Sequence, residues 1–338
     1  MKKLFTILST FILLLTVTAQ SEVLKFRMDE GRIVTAEHQV VAGATTTVVL
    51  LPGINRSLEM SSEKEFFAAA KKYKINILAI ATSSHPRSIA ELNADEAAYF
   101  QSHSMTLQDY ADEIEFVVSH LKIAKPYVAS LSYSSSILSQ LDSKKFAGFI
   151  EMVPMGDPVE GADALTKSGR DTQDFLKLNP FMAGYVRAQR DSAYNSSWTS
   201  SVNQHLQQDK NFYGLSPRVD DIIEGYVSLA RASEDFRLNR VRFEAPRHFI
   251  LVDQEVKDRF KFQLTAVQAE NKRLNGQNAF LLVGKSGHVL PSDQPSSTLK
   301  ALSTVIDMIT TKKFNSGVIA GEKFVEFTAD QKKELGIK

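Results

Sequence analysis

The chain has 338 residues, a formal net charge of +1 and no cysteine. The absence of cysteine excludes disulfides, cysteine nucleophiles and thiolate metal sites. The near-neutral charge gives no electrostatic case for a nucleic acid or an anionic membrane as partner, and the length is enough to bury a full core.

Residues 1–19 open with Lys2 and Lys3, continue through an apolar run from Leu4 to Val17 and end in Val17-Thr18-Ala19. This is the three-part layout of a secretory signal peptide, cleaved before Gln20. The run is shorter than the roughly 20 residues of a membrane span. Export to a bacterial periplasm or exterior is therefore expected, without stable membrane insertion once the peptide is removed. A cysteine-free chain is compatible with that compartment, where disulfides are permitted but not required.

No repeat and no low-complexity linker divides the remainder. The segment from Val23 to Val41 is expected to form an antiparallel hairpin. Short apolar runs then alternate with amphipathic segments. The runs are Val48–Leu51, Ile75–Ile80, Tyr127–Ala129, Phe149–Val153, Phe249–Val252 and Phe280–Val283. Runs that are apolar throughout read as strands buried on both faces of a parallel sheet. Leu107, Tyr110, Ala111, Ile114, Val117, Val118 and Leu121 share one helical face, and Ser296 to Thr310 reads as a helix. The acidic residues Asp109, Asp112, Glu113 and Glu115 are expected on the solvated face of the first of these helices. Strand and helix alternation predicts an α/β fold with a mostly parallel central sheet flanked by helices. Between Pro158 and Pro246 no buried strand is visible, and aromatic residues such as Phe181, Tyr185 and Trp198 stand among charged ones. Residues 158–245 are expected to be an inserted helical cap, with 20–157 and 246–338 forming the core. The segment after Lys312 shows no clear pattern.

Three stretches could carry chemistry. Tyr127 to Leu138 (YVASLSYSSSIL) is a short strand leading into small residues centred on Ser132, with Ser130 two before and Ser134 two after, and an amphipathic helix is expected to follow. Leu282 to His288 (LVGKSGH) is an apolar strand end followed by a glycine turn and a histidine. Leu50 to Ser57 (LLPGINRS) follows the first strong apolar strand. Glu151 is out of place inside an apolar strand. The histidines form no H-x-x-x-H or H-E-x-x-H pattern that would suit zinc, and no G-x-G-x-x-G or P-loop appears.

Together these stretches resemble the α/β-hydrolase fold family, serine esterases and lipases included, over roughly Thr45 to Thr311 less the cap. The first resembles the nucleophile elbow, small-x-Ser-x-small, although serine replaces the usual glycine at both flanking positions. The resemblance implies Ser132 as nucleophile and His288, on the loop after the strand expected to be last, as general base. It implies an oxyanion hole from the backbone N–H groups of Ile54 and Tyr133, with Gly53 supplying the conformational freedom of the turn. The acid should follow Phe249–Val252. Asp258 fits best, with Glu255 and Asp253 competing, and Asp157 occupies the alternative position used by some relatives. The activity implied is hydrolysis of an ester or related acyl bond through an acyl-serine intermediate, on a small-molecule acyl substrate, with no cofactor and no metal. A peptidase or amidase on the same scaffold, or an inactive exported binding protein, are the alternatives. The sequence gives no oligomeric state.

Overall fold

The computed structural model describes residues 21–28, 32–53, 64–85, 88, 91–102, 105–154, 243–253, 256, 261–286 and 290–338. The predicted signal peptide, all of the predicted cap except residues 243–245, and Ile54, Asp157, Glu255, Asp258 and His288 lie outside the described residues.

The strands are β1 (Ser21–Arg27), β2 (Ile33–Gln39), β3 (Thr46–Leu51), β4 (Ile75–Ala81) and β5 (Tyr127–Leu131). They continue with β6 (Gly148–Met152), β7 (Arg247–Val252), β8 (Phe280–Val283), β9 (Ser316–Ala320) and β10 (Lys323–Glu326). They form one sheet in the order β1-β2-β4-β3-β5-β6-β7-β8-β9-β10. From β4 to β9 every neighbouring pair is parallel. The predicted hairpin is present as β1 and β2, and it joins β4 antiparallel.

The unbroken apolar runs follow from cover on both faces. Val48 and Leu50 face a core completed by Phe66 of α1 (Lys64–Tyr73) and by Leu299, Leu302 and Val305 of α6 (Pro295–Thr311). Val49 and Leu51 face a second core with Tyr110, Ile114 and Val117 of α3 (Leu107–His120). Further along the sheet, Phe249, Leu251, Phe280 and Leu282 pack with Val267 of α4 (Lys261–Arg273). Each such fully buried side chain contributes about 1.5–3 kcal/mol of transfer free energy. The helix α2 (Ala94–Ser102) precedes α3, and the short α5 (Leu290–Asp293) precedes α6. A capping box between Thr106 and Asp109 starts α3. Among the described residues no helix is long and apolar enough to cross a membrane.

The segment after Lys312 adds β9, β10 and a final short helix, α7 (Ala329–Glu334). The strand expected to be last, β8, is therefore an interior strand. Glycine makes this extension possible at two positions. Gly321 takes φ 63° in the two-residue turn before β10. A Cβ on Gly317 would lie 2.3 Å from the Val325 carbonyl oxygen, so only glycine allows β10 so close.

One expectation about α3 is corrected. Asp112 is exposed and Asp109 and Glu115 are partly so, but Glu113 is fully buried. Its carboxylate accepts from the Ser83 N–H at 2.9 Å, and the Arg32 guanidinium is 3.5 Å away. Burial pushes its pKa up to about 7, against the pull of the Ser83 hydrogen bond and Arg32, with Asp109 nearby adding to the rise. In the unfolded chain it titrates near 4.5. Between those values the folded protein keeps a proton that the unfolded chain has released. The group's contribution is thus complete below pH 4.5 and is lost as pH rises to about 7, a change of about 3 kcal/mol. Glu113→Gln keeps the shape and removes the titration. In urea unfolding series from pH 4.5 to 7.5, the variant should gain on the wild type by about 3 kcal/mol; a pH-independent difference would refute this assignment.

Candidate active site

β5 ends at Leu131, and the next residue reverses the chain. Ser132 has φ 56°, in the left-handed region that non-glycine residues seldom enter. A 3₁₀ helix, Ser132–Gln140, begins at that residue. The sequence predicts an amphipathic α-helix here, and the structure has the tighter form instead. Within it Ser139 Oγ donates to the Ser136 carbonyl at 2.8 Å. Ile137 and Leu138 still bury against the core shared with α3.

The two serines in the expected glycine positions are both buried and both engaged. Ser130 Oγ lies 3.0 Å from Ser135 Oγ, which joins the end of the strand to the start of the helix. Ser134 Oγ donates to the carbonyl of Pro52, in the turn after β3. Neither hydroxyl is placed to act as a nucleophile. Ser132, between them, is partly exposed. The first N–H groups of a helix, that of Tyr133 among them here, have no partner within the helix.

The Pro52-Gly53 turn lies against this elbow. Gly53 is buried, and a Cβ built on it would stand 3.5 Å from both the Leu131 carbonyl oxygen and the Ser132 Cβ. Its φ is outside the left-handed region, so the conformational freedom expected of this glycine is not what the turn uses. Its contribution is the open space it leaves beside Ser132. Because β3, β5, β7 and β8 are parallel, the chain leaves all four at the same edge of the sheet. Gly53, Ser132, Asp253 and the Gly284–Ser286 turn that leads towards His288 therefore rise from one edge. Asp253, one of the competing acids, follows β7 directly and is partly exposed.

Three other buried titratable groups have structural partners. Glu151 accepts from Arg247 Nη1 at 3.3 Å, and Arg247 in turn lies over Phe243 and Phe249. Burial raises the Glu151 pKa, and Arg247 opposes that rise. The second carboxylate beside Arg247, Glu270, accepts from the Arg247 N–H at 2.9 Å and from Arg273 Nη2 at 2.6 Å. His248 Nδ1 accepts from the Ala279 N–H at 3.0 Å, and its ring stacks on Phe314. Burial lowers its pKa to about 4, so it is neutral near pH 7 and is committed to the β7–β8 junction. Sequence reasoning found no role for Glu151 and did not single out His248, Ser83 or Arg32. A partner 96 residues away, as for Glu151 and Arg247, leaves no local pattern to read.

Neither a family model nor a curated protein matches the sequence. Solved structures do match in shape. An epoxide hydrolase from an endophytic Streptomyces aligns over 88% of this chain and 98% of its own, with a TM-score of 0.63 at 13% identity. A thermophilic esterase from Thermogutta terrifontis aligns over 86% and 99%, with a TM-score of 0.59 at 13% identity. A haloalkane dehalogenase loop variant from Bradyrhizobium elkanii aligns over 86% and 98%, with a TM-score of 0.52 at 11% identity. With the strand order and the tight turn at Ser132, these matches establish that the chain has the α/β-hydrolase fold.

The left-handed backbone at Ser132 gives a test that needs no substrate. Ser132→Ala keeps a Cβ in the strained conformation, whereas Ser132→Gly removes it. Thermal or urea unfolding should find the glycine variant more stable than the alanine variant by about 1 kcal/mol. Equal stabilities, or a more stable alanine variant, would mean that the turn is not held left-handed in solution.

Proposed function

We propose that this protein is an exported serine hydrolase that cleaves an ester or related acyl bond through an acyl-serine intermediate. The observation that carries the reading is the position of Ser132: left-handed, partly exposed, at the end of a central parallel strand, with both neighbouring serines buried and engaged. In this reading His288 takes the proton from the Ser132 hydroxyl as the oxygen attacks the acyl carbon, and returns it to the leaving group. Asp258, or else Glu255 or Asp253, holds the histidine tautomer and stabilises the imidazolium. The N–H groups of Ile54 and Tyr133 receive the oxyanion, each contributing roughly 3 to 4 kcal/mol in the transition state. Water then attacks the acyl-enzyme, with His288 again as base. The aromatic content of residues 158–245 suits an apolar acyl or alcohol portion. The hydrolase and esterase titles among the similar structures are in keeping with this chemistry. Export rests on residues 1–19 and predicts a secreted chain whose first residue is Gln20.

The decisive experiment is fluorophosphonate labelling of the purified mature protein with peptide mass mapping, beside Ser132→Ala and His288→Ala. The expected result is a stoichiometric adduct on Ser132 that both variants lose. Turnover of peptide amides but not short-chain esters would redirect the reading to a peptidase. A folded protein with no adduct on any serine would replace it with a binding protein.

A further inference from the structure

We infer that Ser134 is a positioning residue that fastens the two halves of the oxyanion hole to each other; this rests on the serine-hydrolase reading above. The hydrogen-bonded ladder between β3 and β5 ends at the pair Leu51–Ser130. Beyond that pair both strands turn away into the loops that make the site. The Ser134 hydroxyl bridges this gap by donating to the Pro52 carbonyl, across 82 residues of sequence. Both ends are buried, so water does not compete for the bond.

The placement matters because of what adjoins each end. Tyr133, whose N–H is one proposed oxyanion donor, immediately precedes Ser134. Gly53, which immediately follows Pro52, lies beside the elbow: a Cβ built on it would stand 3.5 Å from the Leu131 carbonyl oxygen and the Ser132 Cβ. The other proposed donor, the N–H of Ile54, belongs to the next peptide unit. A peptide is planar, so holding the Pro52 carbonyl fixes the Pro52–Gly53 peptide plane, the last one before the proposed donor. Glycine at position 134, the usual residue of a nucleophile elbow, offers no hydroxyl for this bond. The serine is therefore an added tie between the two loops. Ser130 does not duplicate it, because its partner, Ser135, lies on the same stretch of chain.

Such a tie acts on the transition state more than on substrate binding. The oxyanion exists only while the acyl carbon is tetrahedral, and donors that drift apart lose their hold at that stage. Removing one donor outright slows catalysis by roughly 10²–10³; loosening the spacing between two should cost about tenfold to a hundredfold. Ser134→Ala is expected to lower kcat on a p-nitrophenyl ester by that factor, with KM within about twofold of the wild type. Affinity for a trifluoromethyl ketone, which forms a tetrahedral oxyanion on the serine, should fall in step with kcat. Ser134→Thr keeps the hydroxyl and should recover most of the rate, and thermal unfolding of each variant checks that the fold is retained. Should Ser134→Ala not fold, Ser134→Gly removes the same bond and is read in the same way. A folded Ser134→Ala enzyme with unchanged kcat, a rise in KM alone, or equal losses in folded alanine and threonine variants would each overturn the inference. Failure of fluorophosphonate to label the wild type would overturn the hydrolase reading and this inference together. A labelled, active wild type with an unaffected Ser134→Ala would overturn the inference alone.

Discussion

Ser132 turns the chain from strand to helix within one residue, at a backbone angle that costs a non-glycine side chain about 1–2 kcal/mol. Such a conformation persists only where its surroundings leave no alternative, and here they come from every side. β5 is paired in parallel with β3 on one side and β6 on the other, so the strand cannot twist to relieve the turn. The residues at −2 and +2 must be small for strand and helix to approach. They are serines rather than glycines, and each uses its hydroxyl to hold the turn shut. Gly53 lies beside the elbow, where its missing side chain leaves space next to Ser132.

The charged groups in the interior follow a different logic. Glu113, Glu151 and Glu270 are almost wholly buried, and each has a guanidinium or a backbone N–H within reach. An isolated buried carboxylate would cost several kcal/mol; paired ones serve as ties between elements. Glu113 joins α3 to the exit of β4 through Ser83. Glu151, Arg247 and Glu270 join β6, β7 and α4. His248 does the same between β7 and β8 as a neutral acceptor. These ties link the elements of the scaffold whose upper edge carries Gly53, Ser132 and Asp253.

Much of this architecture was legible in the sequence, because parallel strands covered on both faces leave continuous apolar runs. Every run from Val48 to Val283 became a strand, and Ser132 stood out through the size of its neighbours. What escaped did so for physical reasons. Ser316 to Ala320 is a strand because Gly317 admits β10 and β8 offers a partner, neither of which shows as a run of apolar residues. The identity of Glu113 obscured its position: at three residues from Tyr110 and four from Val117 it lies on the buried face, where it meets Arg32 and the Ser83 N–H, both distant in sequence. The role of Ser134 depends on Pro52, in another loop.

The sheet's continuation past β8 also has a consequence for how the molecule assembles. β9 pairs with β8 along its full length, and the Ile319 carbonyl accepts the N–H of Gly284, the first residue of the turn towards His288. Phe66 of α1 shares its core with Leu299, Leu302 and Val305 of α6, so one of the earliest helices is covered by one of the latest. Contacts between such remote segments make closure slow, since the chain must first lose the entropy of a very long loop. β5, with four strands on one side of it in the sheet and five on the other, packs into a core that early and late segments of the chain complete together. The turn at Ser132 therefore rests on a core assembled from segments far apart in the chain, so a change near either end of the sheet can reach it without touching it.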